Sequence, residues 1–167
     1  MTAGAMADTP ERSAYDVVIV GGAIMGSATA FFLARNLDFD GSVLVIERDP
    51  SYEFSSTAHT NSCMRQQFST ELNIRISQFA ADFVTNLREH MGGDDRIPEL
   101  AIQNYGYMYL ADNEDFAGVL RANQAVQRAA GAETELLTPD EIVARYPFYN
   151  LEAVSYTHLT LPTRCLG

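Results

Sequence analysis

Residues 15–47, YDVVIVGGAIMGSATAFFLARNLDFDGSVLVIE, leave the chain few ways to fold. Val17, Val18, Ile19 and Val20 form a β-branched run of the kind found in a strand buried on both faces. A turn, Gly21-Gly22-Ala23-Ile24-Met25-Gly26, follows at once. Helical spacing then carries Ile24, Ala28, Phe31 and Phe32 on to Leu33. Gly41 interrupts, Val43-Leu44-Val45-Ile46 predicts a second parallel strand, and Glu47 stands at its carboxyl end. The order strand, glycine turn, helix, strand, acid predicts an α/β fold with a Rossmann-like βαβ unit.

That order has a chemical consequence. A helix that starts at a glycine turn points unsatisfied N–H groups and a positive dipole end at whatever lies before it, which suits a pyrophosphate. Gly21 allows the sharp turn, and Gly26 allows the helix to pack close to the strand. Glu47 can accept hydrogen bonds from adenosine ribose hydroxyls. The second motif glycine is Ala23 here, at the point where the backbone comes nearest the phosphates. A small shift of the pyrophosphate is expected, with the site retained. The competing reading is a buried βαβ whose glycines serve packing alone.

Composition narrows the function classes. The chain has 167 residues, 47% hydrophobic, and a net charge of −11. An acidic surface argues against nucleic acid and anionic membranes as partners. Cys63 and Cys165 are too few for a disulfide framework, and no apolar run is long enough to span a bilayer. Residues 1–14 read as a flexible tail without a signal or transit pattern, so a cytoplasmic location is expected. No His/Cys cluster has metal-ligand spacing, so no metal is expected.

Further along, Ser51–Ser69 (SYEFSSTAHTNSCMRQQFS) is too polar for core and predicts a loop or short ligand-binding helix. Ser55, Ser56 and Thr57 could donate hydroxyls to phosphate oxygens or make local turns instead. Cys63 reads as a small buried residue. Glu71–Met91 predicts one long helix capped by Ser69 or Thr70, with Leu72, Ile76, Phe79, Ala80, Phe83 and Leu87 on its apolar stripe and Gly92-Gly93 as its stop. Ala101–Leu110 alternates, with Tyr105, Tyr107 and Tyr109 on one face and Ile102, Asn104, Gly106 and Met108 on the other. The tyrosine row fits sheet packing or a substrate pocket. A helix follows Asn113 and stops at Gly131. Thr134–Leu137 is extended, and Thr138-Pro139-Asp140-Glu141 is a capping box with proline at the first helical position.

YDVVIVGGAIMGSATAFFLA, VLVIERDP and SSTA…MRQQFS, with the later YGYMYLADNEDF and ELLTPDEIVARYP, resemble the amino-terminal part of the D-amino-acid oxidase superfamily of FAD-dependent oxidoreductases. Glycine oxidase, sarcosine oxidase and dimethylglycine dehydrogenase belong to that group. The resemblance covers roughly Tyr15 to Asn150 and implies FAD as cofactor. It places Gly21, Gly22, Ala23, Ile24, Met25, Gly26, Glu47 and Arg48 at the adenosine-diphosphate site and Ser56 and Thr57 at a second flavin contact. Arg65 corresponds to an arginine that holds the substrate carboxylate in sarcosine-oxidase-like members, which suits a guanidinium fork. The other reading of Arg65 is an ion pair with an acid such as Glu71. His59 falls where dimethylglycine dehydrogenases carry covalent flavin in S-T-W-H, but the tryptophan is absent.

The resemblance implies oxidation of a C–N bond in a small amine or amino acid such as sarcosine, dimethylglycine, glycine or a D-amino acid. The imine formed would then be hydrolysed by water. No residue of this portion is assigned as catalytic acid or base, and the electron acceptor stays open. Two alternatives remain: a nicotinamide-dependent Rossmann dehydrogenase, and a non-catalytic FAD-binding assembly protein. The expected organisation is an oxidoreductase domain over 15–153, entering an α+β substrate portion near residue 95. Val154–Thr163, VSYTHLTLPT, resembles one reading frame of a sequencing adapter, so 154–167 is expected to be non-native and the domain truncated. Such a fragment should bind FAD weakly and lack turnover.

Overall fold

The computed structural model describes residues 9–60, 63–103, 106–151 and 156–160. The chain divides into two compact units, 1–63 and 64–167. The helix after Ser69 packs with later elements and so belongs to the second unit.

In the first unit, β1 (Val17–Val20) pairs in parallel with β2 (Val43–Ile46), joined by α1 (Ile24–Arg35). Register runs from Val17 opposite Val43 to Val20 opposite Ile46. A polar clasp fixes the strand entries: the Asp16 carboxylate accepts from Ser42 N–H and Ser42 Oγ, both at 2.7 Å. Those two bonds hold the Asp16 carboxyl below its ordinary value. The expectation that β1 is buried on both faces is corrected. Val17 and Ile19 are half-buried, but Val18 is exposed and Val20 is 85% exposed. The sheet has two strands, α1 packs against both, and Val18 and Val20 lie on the more exposed of the alternating faces.

The second unit begins with α2 (Glu71–Thr85) and α3 (Leu87–His90). The single helix expected over Glu71–Met91 is broken at Asn86, whose φ of −105° and ψ of 31° leave the helical region. Thr70 is the N-cap but makes no side-chain cap bond. The buried face of α2 also differs from the expected stripe. Ile74 is fully buried against Ala130 and Ala132, with Phe68 and Val126 beside it, while Leu72 is 69% exposed and Ile76 and Phe79 are exposed too. Burying Ile74 stabilises this cluster by about 1.5–3 kcal/mol. Periodicity located the helix axis, and tertiary contacts chose a narrower face around Ile74.

β3 (Tyr107–Ala111), α4 (Glu114–Ala129) and β4 (Thr134–Leu137) form a split βαβ unit. The middle of its sheet is β5 (Tyr156–Thr160), antiparallel to both neighbours, in the order β3-β5-β4. The middle strand therefore comes from the stretch read as adapter-like. The strand expected over Ala101–Leu110 is shorter and later, and Asn104 and Tyr105 lie outside the described residues. Asn113 caps α4 by accepting from Phe116 N–H. α5 (Pro139–Arg145) starts with the predicted capping box: Thr138 N–H donates to Glu141 Oε2 at 2.7 Å, and Glu141 N–H donates to Thr138 Oγ1 at 3.3 Å. Ile142 and Leu137 bury together beneath it. Among the described residues, no helix is long and apolar enough to cross a membrane.

Candidate functional site

The first unit holds a cavity of about 380 Å³ at the carboxyl ends of β1 and β2. Its wall combines the glycine turn (Gly21, Ala23, Met25, Gly26), the end of β2 (Glu47, Arg48) and the polar segment after it (Tyr52, Ser56, Thr57). Ligands of open parallel sheets collect at such strand ends. A larger hollow of about 620 Å³, in the second unit, is bounded by α3 and the loop to Leu100. Its glycines, Gly92 and Gly93, follow a helix rather than open one, no described strand ends there, and Arg88 at its wall already donates twice to Ile97 O.

Two glycines are demanded by geometry. Gly21 has φ +98°, in the left-handed region that side chains avoid. A methyl group on Gly26 would collide with the carbonyl oxygen of Gly21 and stand 3.1 Å from Ile19 Cγ2. Gly26 therefore sets how closely α1 approaches β1. Ala23, the departure from the glycine pattern, is the N-cap of α1 with φ −64°. An L-residue holds that angle without strain, so the turn keeps its shape with alanine present.

The amino end of α1 is suited to an anion. It has no acidic residue in its first turn and no side-chain cap bond. Thr57 reaches it from the polar segment: Ile24 N–H donates to Thr57 Oγ1 at 3.3 Å. Met25 is exposed at the mouth.

Glu47 ties the parts together. Its Oε2 accepts from Gly22 N–H at 2.7 Å, and its Oε1 accepts from Asp49 N–H at 2.9 Å. These bonds, Asp49 first and Gly22 second, favour the charged form and hold the Glu47 carboxyl below its ordinary value. Gly21 N–H donates to Ile46 O at 2.7 Å beside them. Each carboxylate oxygen keeps a further lone pair for a hydroxyl donor. The next acid, Asp49, is held low by Ser51, whose hydroxyl and N–H both donate to it.

The structure thus brings Gly21, Gly22, Ala23, Ile24, Met25, Gly26, Glu47, Arg48, Ser56 and Thr57 to one region of one unit. His59 is exposed, its N–H donates to Ser55 O at 3.3 Å, and it does not line the cavity. Arg65 belongs to the second unit. Its Nη1 donates to Tyr109 Oη at 2.5 Å, and its guanidinium lies 5.1 Å from the Phe68 ring centre and 5.8 Å from that of Tyr109. The expected alternative pairing with Glu71 is not formed, because Glu71 pairs with Arg75 one helical turn on. Cys63 is exposed, which corrects the buried reading. Tyr52 and Phe54 also line the cavity and were passed over by sequence reasoning; the available signal was two aromatics inside a polar stretch next to a strand-end acid.

Residues 16–161 match the family described as FAD dependent oxidoreductase. FAD-dependent oxidoreductase domain-containing protein 1 of Xenopus laevis is 40% identical over 150 residues, spanning 87% of this chain and 29% of that protein. Among solved structures, glycine oxidase from Geobacillus kaustophilus aligns with a TM-score of 0.66 at 22% identity, over 89% of this chain and 39% of its own. L-proline dehydrogenase from P. horikoshii aligns with a TM-score of 0.63 at 23% identity, over 88% of this chain and 36% of its own. The chain therefore spans less than half the length of each of these three proteins.

Proposed function

The chain belongs to the family of FAD-dependent oxidoreductases, and we propose that it is the cofactor-holding part of an enzyme that oxidises a C–N bond of a small amine or amino acid. The observation that carries the cofactor half of this reading is the closed circuit of glycine turn, helix end and Glu47. The residues fit the adenosine-diphosphate portion of FAD. The first turn of α1 offers N–H groups and dipole to the diphosphate, Gly21 and Gly26 keep that approach free of side chains, and Glu47 has lone pairs for ribose hydroxyls. Thr57, already at the helix end, and Ser56 add hydroxyl donors. FAD, when bound, supplies the two-electron oxidation, which no side chain of this portion can perform. The match to FAD-dependent enzymes leaves the nicotinamide alternative without support.

Arg65 is assigned to the substrate carboxylate. Between the Phe68 and Tyr109 rings its guanidinium keeps N–H donors beyond the one given to Tyr109 Oη, and a fork of two donors fits a carboxylate. The candidate substrates are sarcosine, dimethylglycine, glycine and D-amino acids. A test is anaerobic mixing of each with flavin-loaded protein of the relatives' full length. Bleaching of the flavin absorbance by one of them supports the reading. Retention of oxidised flavin with all of them favours the non-catalytic assembly role instead.

A further inference from the structure

Tyr52 is the single non-glycine residue with positive φ among the described residues, at φ +57°. A bulky side chain rarely holds this backbone conformation, and positions that do are concentrated at ligand sites. The conformation is fixed by a tight turn on each side. Tyr52 N–H donates to Asp49 O at 3.0 Å, and Ser55 N–H donates to Tyr52 O at 3.0 Å. Its direction is informative. A methyl group placed on Gly22 would stand 2.9 Å from Tyr52 Oη and 3.5 Å from Glu47 Cβ. The phenol therefore reaches over the glycine turn beside the acid, and it lines the same cavity as Gly21, Ala23, Gly26 and Glu47. It is still 39% exposed while lining the cavity.

We propose that Tyr52 is an adenosine-binding residue, held in a strained backbone conformation so that its ring packs on the nucleoside whose ribose Glu47 grips. This rests on the reading of the cavity as the adenosine-diphosphate site and deepens it. The chemistry is that of a flat, polarizable face offered to a purine next to a carboxylate that takes the sugar hydroxyls. The strain is a cost in the free protein that contact with the ligand offsets.

ADP is the probe, because it carries the adenosine and diphosphate without the flavin ring. The full 167-residue chain is titrated with ADP by calorimetry, and its thermal midpoint is read without ligand. Tyr52→Gly removes the ring and the strain together. It should weaken ADP binding about tenfold, in the range a stacking contact provides, while leaving the ligand-free midpoint equal or higher. Tyr52→Phe, which keeps the ring, should hold ADP affinity within about threefold of the unaltered chain. Equal ADP affinity in Tyr52→Gly overturns the proposal. So does a lowered ligand-free midpoint, which would make Tyr52 a packing residue. Absence of ADP binding by the unaltered chain overturns the cavity reading itself, and the Tyr52 assignment with it.

Discussion

The N–H of Gly22 donates to Oε2 of Glu47 at 2.7 Å, across 25 residues of sequence. The acid that the motif reserves for a sugar is thus also the strut of the glycine turn. Its other oxygen holds Asp49 N–H, so a single side chain fixes the turn after β1 and the turn after β2. Two turns fixed in this way would lower the ordering cost of binding the proposed nucleotide.

Glu47→Gln should therefore lower the stability of the ligand-free protein as well as cofactor affinity. An amide can accept from only one of the two N–H groups, and its NH2 would face the other. The folded protein holds the Glu47 carboxyl below 4.5, chiefly through Asp49 and Gly22 N–H. A depressed carboxyl contributes stability that is complete above its unfolded value and is lost as pH falls through the folded one. Thermal melts of both proteins from pH 7 to pH 3 should show the widest gap at neutral pH and a shrinking gap below about pH 4.5.

Gly26→Ala and Ala23→Gly should move in opposite directions. The Gly26 methyl would meet the Gly21 carbonyl, so the helix must leave the strand, and both FAD affinity and melting temperature should fall. Ala23 already sits at an unstrained φ, and glycine there opens the closest approach to phosphate. That variant should bind FAD at least as tightly as the unaltered chain. FAD fluorescence titration reads both.

Ile74→Ala should cost about 2–5 kcal/mol in the second unit, since it empties a fully buried site lined by Ala130 and Ala132. Nucleotide affinity, carried by residues of the first unit, should be unchanged at temperatures where both units are folded. Urea unfolding followed alongside ADP titration separates the two effects.

Arg65→Ala, in a protein of the relatives' full length bearing this sequence, should raise KM for a carboxylate-bearing substrate about 10–100-fold, the scale of a lost charge-assisted hydrogen-bond pair. Arg65→Lys should recover part of it, because an ammonium lacks the planar fork. Steady-state kinetics with a substrate and its decarboxylated analogue provides the comparison, and the analogue should be indifferent to either change.

The pieces legible in the sequence were those fixed by local chemistry. The βαβ unit, the helix that follows Asn113 and the capping box at Thr138 each depend on a few neighbouring residues, and each is present. What the sequence hid depends on distant partners. The face α2 buries was decided by Ala130 and Ala132, and the break at Asn86 interrupts an unbroken helical pattern. Residues 156–160, read as adapter text, form the middle strand of a sheet by pairing with β3 and β4, a relationship that no local pattern carries. At the site, the motif named the glycines and Glu47 but could not disclose that Glu47 bonds to Gly22. Tyr52 was hidden for a similar reason, since its placement depends on a left-handed turn that its neighbours impose.

The central claim is that the amino end of α1, with Glu47, holds the diphosphate and ribose of FAD. Amide NMR of the 15N-labelled chain during ADP titration tests it most directly. The account predicts that the largest shifts fall on Gly22 to Ser27 and on Glu47 to Asp49. Shifts confined to residues after Met64, or none at saturating ADP, would contradict it.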